Sequence, residues 1–98
     1  MTYRLELTDE ARLDVQEAWL WYENLKANLG EEFLLSLEAS LNEIERNPLL
    51  YQIYHNNSRI ALLKRFPYKA IYVIENSIVG VIAVIHNKRD PSIWMVRM

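Results

Sequence analysis

An α+β fold in the order β-α-α-β-β-β follows from three features of the chain. Two long stretches repeat apolar residues every three or four positions, three later runs are dense in β-branched residues, and one short alternating run precedes them all. The expected architecture is an N-terminal strand and an antiparallel helical hairpin packed on a mostly antiparallel four-stranded sheet. At 98 residues the chain has room for a single domain with one core. A hydrophobic fraction of 51% argues for compact folding and against disorder.

The alternation of Tyr3, Leu5 and Leu7 with Arg4 and Glu6 predicts the first strand over Tyr3–Leu7. Thr8 then stands as an N-cap, and Asp9 and Glu10 fall where acidic groups complement a helix dipole. The helix is expected to run to about Asn28 and to stop near Gly30, with Ala11, Val15, Ala18, Tyr22, Leu25 and Leu29 on one stripe. Leu13, Trp19, Leu20 and Trp21 widen that stripe, as in a helix covered on more than one side. Successive helical residues cannot all point inward, so either Trp19 or Trp21 is expected to be exposed or covered by another chain. A second helix is expected over Glu31–Arg46, with Phe33, Leu34, Leu37, Leu41 and Ile44 inward and Glu32, Glu38, Glu43 and Glu45 mostly outward. Asn47-Pro48 ends it, because proline disfavours helical backbone in the residue before it. The short connection at Gly30 makes the pair antiparallel.

Leu49–Asn57 reads as a polar loop with aromatic residues. Strands follow at Arg59–Lys64, Tyr68–Glu75 and Ile78–His86, the last two joined by the turn Asn76-Ser77. The run Ile78–Ile85 is apolar apart from Gly80, the mark of a strand buried on both faces; the first strand is expected beside it. Arg59, Lys64, Arg65 and Lys69 flank the earlier two strands and are expected on an exposed face or edge of the sheet.

Charge is segregated along the chain. Residues 1–49 carry four basic and eleven acidic side chains, and residues 50–98 carry seven basic and two acidic. The expected consequence is an acidic helical layer opposite a basic sheet surface suited to a polyanion or an acidic protein. No apolar run reaches the roughly 18 residues of a membrane span, and the first eight residues alternate where a signal sequence would be apolar, so a cytoplasmic protein is expected. With no cysteine there is no disulfide, thiolate chemistry or sulfur-ligated zinc, and His55 and His86 lack partners at metal spacing. Neither metal nor cofactor is expected.

The segment His86-Asn87-Lys88-Arg89-Asp90-Pro91-Ser92-Ile93-Trp94 takes an apolar strand into a cationic loop, turns at Asp-Pro and returns to a large aromatic anchor. Arg89 and Asp90 are expected to pair across the turn, with Trp94 packed beneath it. Together with the Trp-Tyr pair of Ala11–Tyr22, Gly30-Glu31-Glu32-Phe33-Leu34, Asn47-Pro48 and Arg65-Phe66-Pro67-Tyr68, it resembles the RelE/ParE superfamily of bacterial toxins from type II toxin–antitoxin modules, closest to the ParE-like, plasmid-stabilisation branch. The resemblance covers essentially the whole chain, as one toxin domain over residues 1–98.

What the resemblance implies is a toxin neutralised by a cognate antitoxin in a hetero-oligomer, the antitoxin wrapping the helical hairpin and sheet. In the ParE branch the implied target is DNA gyrase, trapped on cleaved DNA. In the RelE branch it is mRNA in the ribosomal A site, cut by an endoribonuclease. A third implied outcome is a degenerate member that binds a partner without toxicity. Metal-free RNA cleavage needs a base for the 2′-hydroxyl, cationic donors for the phosphorane and an acid for the leaving oxygen, roles open here to Arg65, His86 and Arg89. Against it stand the sequence pI of about 5.6, which suits ribosome docking poorly, and the absence of tyrosine after Tyr72. The expected catalytic set is therefore none, with those three residues the alternative. Candidate target contacts are Arg59, Lys64, Arg65, Lys88, Arg89, Trp94 and Arg97, and candidate antitoxin contacts are Trp19, Trp21 and Lys69.

Overall fold

Nine consecutive residues, Ile78–His86, form a strand so apolar that it must be covered on both faces, and the rest of the chain is arranged to do so. The computed structural model describes residues 2–98. Along the chain run β1 (Arg4–Leu7), α1 (Asp9–Leu25), α2 (Leu29–Arg46), a 3₁₀ turn (Pro48–Leu50), β2 (Ile53–His55), β3 (Ser58–Leu62), β4 (Tyr68–Glu75), β5 (Ile78–His86) and α3 (Ser92–Met95). The strands make one sheet in the order β1-β5-β4-β3-β2. β1 pairs with β5 in parallel, Leu5 opposite Val79 and Leu7 opposite Val81, and the other pairings are antiparallel.

The helical hairpin covers one face of the sheet. Ala11 and Ala18 of α1 and Phe33, Leu37 and Ile44 of α2 are buried against Ala61, Ala70, Tyr72, Val79, Val81 and Val84. Tyr22, Phe33, Phe66 and Tyr68 stack where the hairpin meets the sheet, with centroids from 4.9 Å for Tyr22–Phe66 to 5.9 Å for Tyr22–Tyr68. The other face carries a second cluster of Ile71, Ile82, Ala83 and Ile85, closed by the fully buried Trp94 of α3. The Trp94 indole N–H is buried without a hydrogen-bond partner among the described residues. That costs about 1–3 kcal/mol, which the apolar contact of so large a ring offsets.

Local chemistry sets the helix boundaries. The Thr8 hydroxyl accepts from Ala11 N–H, and Asp9 and Glu10 occupy the first turn of α1. The helix ends at Leu25, three residues before the expected Asn28, and Leu25 is 62% exposed instead of facing the core. The reversal falls on Asn28, at φ 73°, a left-handed conformation that asparagine tolerates. Leu29 and Gly30 already belong to α2, and the Glu23 carboxylate of α1 caps its first turn, accepting from Asn28 N–H at 2.9 Å and Gly30 N–H at 3.0 Å. Gly30 is glycine because a Cβ there would lie 2.8 Å from Trp19 Nε1 and 2.9 Å from Glu23 Oε1. It is a point of close helix approach and not the stop signal expected of it.

The sheet has five strands, not four. The segment expected as a loop, Leu49–Asn57, holds the end of the 3₁₀ turn and the edge strand β2, which pairs with β3 through Ile53 opposite Arg59. Its turn rests on Asn56 at φ 52°, and the Ser58 hydroxyl bonds back to His55 C=O. Three residues are too short for a period-two signal. α3 also lies in a stretch expected to be irregular. Asp90 accepts from Ser92 N–H at 2.9 Å, and that hydrogen bond holds its carboxyl below the usual range. Arg89, expected to pair with Asp90, has no ion-pair partner among the described residues.

Two substitutions test this packing. Gly30→Ala gains about 1 kcal/mol of helix propensity but disrupts the charge-assisted bonds that Glu23 accepts, worth about 1.5–3 kcal/mol, so urea denaturation is expected to show a net loss of about 0.5–2 kcal/mol. Tyr72, with no exposed surface, donates from its hydroxyl to Pro48 C=O at 2.6 Å, and burial pushes its pKa from 10.0 up to about 12. A raised folded-state value stabilises fully below pH 10.0 and is lost as pH rises through about 12. Tyr72→Phe is expected to cost about 1–2 kcal/mol at neutral pH, with the difference from wild type shrinking across that alkaline window.

Candidate functional site

The end of the sheet where β3 stops, β4 begins and β5 stops gathers most of the cations of the second half of the chain. Lys64 and Arg65 lie in the β3–β4 loop, Lys69 on β4 opposite Ile85 and Leu62, and Lys88 and Arg89 in the β5–α3 loop. The two loops are tied by Asn87 N–H donating to Pro67 C=O at 2.8 Å. Arg65 is held at φ 75°, a left-handed conformation that costs a non-glycine residue energy. It repays this by reaching α2: its guanidinium donates to Glu32 at 2.6 Å and lies 5.2 Å from the Phe66 ring centre. That hydrogen bond holds the Glu32 carboxyl below its ordinary value. Lys64 pairs with Glu43 of the same helix at 3.5 Å.

The cationic surface is thus clasped to the acidic helices, not set opposite them. Two other expected members lie elsewhere. Arg59, on the helix-facing side of β3, donates to the carbonyls of Leu49 and Tyr51 and organises the 3₁₀ turn. Arg97 donates to Asp14 through both guanidinium nitrogens, at 2.6 and 3.1 Å, and to Ile82 C=O at 3.0 Å. The Asp14 contact raises the Arg97 pKa. Asp14 also accepts from Val84 N–H at 3.0 Å, so this ion pair closes the stretch of β5 that β1 does not reach. Trp94 is fully buried and supports the loop from below. Among the described residues, Lys69, Lys88 and Arg89 have no ion-pair partner.

His86 and Arg89 share a cleft of about 200 Å³ with Asp14, Glu17, Trp21, Tyr68 and Val84. The His86 ring meets Tyr68 edge-on at 5.3 Å, and its Nδ1 accepts from Lys88 N–H at 3.0 Å. Burial raises the Tyr68 pKa, with Tyr22, Glu17 and Asp14 adding to the rise and Arg89 opposing it. Arg65 does not line this cleft, so the three groups named for RNA cleavage are not brought together. Among the described residues no cluster of three His, Asp or Glu side chains could hold a metal.

The candidate antitoxin contacts separate. Trp19 is half-buried in a groove of about 640 Å³ between α1 and α2, with Arg12, Leu13, Glu31 and Leu34. Trp21 is 63% exposed on the other flank of α1. Lys69 is on the sheet face away from the helices. Asp14, Glu17 and Tyr68 were missed because nothing local marks them; Asp14 meets Arg97 across 83 positions. Leu13 and Leu34 were read as helix-stripe residues, with no signal that they line a groove.

A family model described as the ParE toxin of the type II toxin–antitoxin system, parDE, matches residues 5–91. No curated protein sequence matches the chain. Among solved structures, a chain of the chromosomal ParDE system from P. aeruginosa superposes with a TM-score of 0.78 at 13% identity, covering 87% of this chain and 96% of that one. A chain of the toxin–antitoxin complex RelBE2 from Mycobacterium tuberculosis gives 0.65 at 19% identity, covering 88% and 99%. A mutant of the E. coli toxin RelE, in complex with an antitoxin RelBc peptide, gives 0.67 at 16% identity, covering 100% and 96%. The family match spans the helical hairpin, the sheet and the start of the terminal loop, and this chain therefore belongs to the ParE toxin family of type II toxin–antitoxin systems.

Proposed function

We propose that this toxin acts by binding DNA gyrase and not by cutting RNA, and that a cognate antitoxin neutralises it. The observation that carries the reading is the disposition of the candidate catalytic groups. Arg65 is engaged by Glu32, while His86 and Arg89 face a cleft that also holds Asp14 and Glu17. Carboxylates beside a phosphodiester oppose the negative charge that develops in the transition state, which a ribonuclease must stabilise. A net charge of −2 further weakens approach to ribosomal phosphate.

Lys69, Lys88 and Arg89, with Lys64 and Arg65 beside them, provide the proposed target-contact surface. Their common position at one end of the sheet lets a rigid acidic surface engage them together. The antitoxin is assigned the α1–α2 groove, where Leu13, Trp19 and Leu34 offer the apolar lining that an amphipathic segment requires, with the exposed Trp21 a further contact on the other flank of α1. In this reading the protein works in the cytoplasm; among the described residues no helix is long and apolar enough to cross a membrane.

Purified toxin is expected to inhibit gyrase supercoiling and to accumulate cleaved DNA, and the double variant Lys88→Glu/Arg89→Glu to lose at least tenfold in potency while keeping its circular dichroism spectrum. Undisturbed supercoiling at large toxin excess rejects the proposal. Primer extension on translated mRNA separates the alternatives: A-site cuts abolished by His86→Ala would establish the ribonuclease, whereas unaffected growth, gyrase and mRNA would mark a non-toxic binding member. Trp19→Ala is expected to weaken antitoxin binding by about 2 kcal/mol or more, as a central aromatic does, readable by titration calorimetry.

A further inference from the structure

The α1–α2 groove combines an apolar lining with a one-sided charge. Its apolar part is Leu13, 57% exposed, with half-buried Trp19 and Leu34. Its charged part is Asp9 and Glu31 against Arg12. Glu31, Leu34 and Glu38 follow one another along α2 at steps of three and four, so two carboxylates flank Leu34 on one stripe. Trp19 is held in place: its indole N–H donates to Glu31 at 3.4 Å, and its ring lies so near Gly30 that a Cβ there would meet it at 2.8 Å. The groove is therefore formed before a partner arrives, which lowers the cost of binding. Around it, residues 9–46 hold ten carboxylates and three cations. Asp14, Glu32 and Glu43 meet cations from the second half of the chain, and Glu23 and Glu45 accept from backbone N–H groups. Asp9, Glu10, Glu17, Glu31 and Glu38 are exposed and have no ion-pair partner among the described residues.

We propose that the segment bound in this groove is a cationic amphipathic helix, with leucine-like side chains toward Leu13, Trp19 and Leu34 and Lys or Arg flanking them toward Asp9, Glu31 and Glu38. It rests on the assignment of the groove to the antitoxin and adds the chemistry of the segment that binds. From Asp9 to Trp19 α1 rises about 15 Å, a length that about three turns of a partner helix cover. Along that length the partner's flanking charges come within about 8 Å of the carboxylates, a range over which salt does not screen them out. Lys and Arg are attracted there, and an acidic segment places like charges together and is rejected. A second copy of this chain is a poor occupant. It brings its own carboxylate-rich helices, and Lys64, Arg65, Lys88 and Arg89 lie in two loops and not beside an apolar helical stripe.

Fluorescence anisotropy on the full chain tests it, with three labelled peptides of about 18 residues that share one leucine stripe and carry Lys, Gln or Glu at every polar position. At about 0.15 M salt the Lys peptide is expected to bind about tenfold more tightly than the Gln peptide, and the Glu peptide not to bind. Leu13→Ser, at an exposed position lining the groove, is expected to weaken the Lys peptide with an unchanged circular dichroism spectrum. Glu31→Gln/Glu38→Gln is expected to weaken it about fivefold. Glu6→Gln/Glu75→Gln removes the same two charges outside the groove and is expected to leave binding unchanged. Gln or Glu peptides that bind as tightly as Lys, with the same loss on Leu13→Ser, overturn the cationic occupant and leave the groove assignment standing. Lys-peptide binding indifferent to Leu13→Ser overturns both, as does the absence of binding by any peptide. Equal losses in the two glutamine pairs reduce the effect to total charge and overturn the proposal. So does self-association of the free toxin in sedimentation velocity that Leu13→Ser abolishes, which would make a second copy the occupant.

Discussion

Burying β5 on both faces is the constraint from which the rest of the architecture follows. Val79, Val81 and Val84 face the helical hairpin, and Ile82, Ala83 and Ile85 face α3. Each face withdraws apolar surface worth about 25 cal/mol per Å², so neither layer is dispensable in a chain of 98 residues. The parallel partner β1 covers β5 only through Val81. Beyond it the strand edge is closed by side chains, Asp14 on Val84 N–H and Arg97 on Ile82 C=O. A single ion pair therefore joins α1, β5 and the C-terminal segment, and the hydrogen bonds that both partners make to the β5 backbone offset part of the cost of withdrawing the two charges from water.

The segregation of charge along the chain is in good part internal complementarity. Arg97 meets Asp14, Arg65 meets Glu32 and Lys64 meets Glu43, each joining a basic residue of the second half to an acidic residue of the first. The exposed pairs contribute little each, about 0–1 kcal/mol, but they fix where the β3–β4 loop sits against α2. What remains for a partner is a smaller cationic group at one end of the sheet, displayed from two loops that a backbone hydrogen bond holds together. A toxin of acidic total charge can recognise a target through such a local surface, because at physiological salt charges more than about 8 Å away are largely screened.

The helical hairpin, the N-cap at Thr8 and the strand β5 were legible because each rests on a pattern a few residues long: a period near 3.6, a hydroxyl before an acidic turn, an unbroken β-branched run. The features that escaped were of two kinds. β2 and α3 are too short to carry a period and exist because neighbours hold them, β3 alongside one and the second apolar cluster beneath the other. Gly30 was misread because a glycine after a helical run has two physical causes, a left-handed cap or a close approach, and the sequence does not distinguish them; Asn28 took the cap while the Trp19 ring took the space.

For the candidate site the division is sharper. Which residue types were available, including a cationic loop after β5, an anchoring Trp94 and two tryptophans on one helix, was determined by the sequence by itself, as was the family that their order resembles. Which cations face outward, that Trp94 is an internal support, and that His86 shares a cleft with Glu17 while Arg65 is drawn to Glu32, was decided by the tertiary structure. The physical reason is range. Periodicity acts over one or two turns of chain, whereas the partner that neutralises a charge here lies 33 positions away for Arg65 and 83 for Arg97, and only the packed arrangement of helices on the sheet brings those groups within reach.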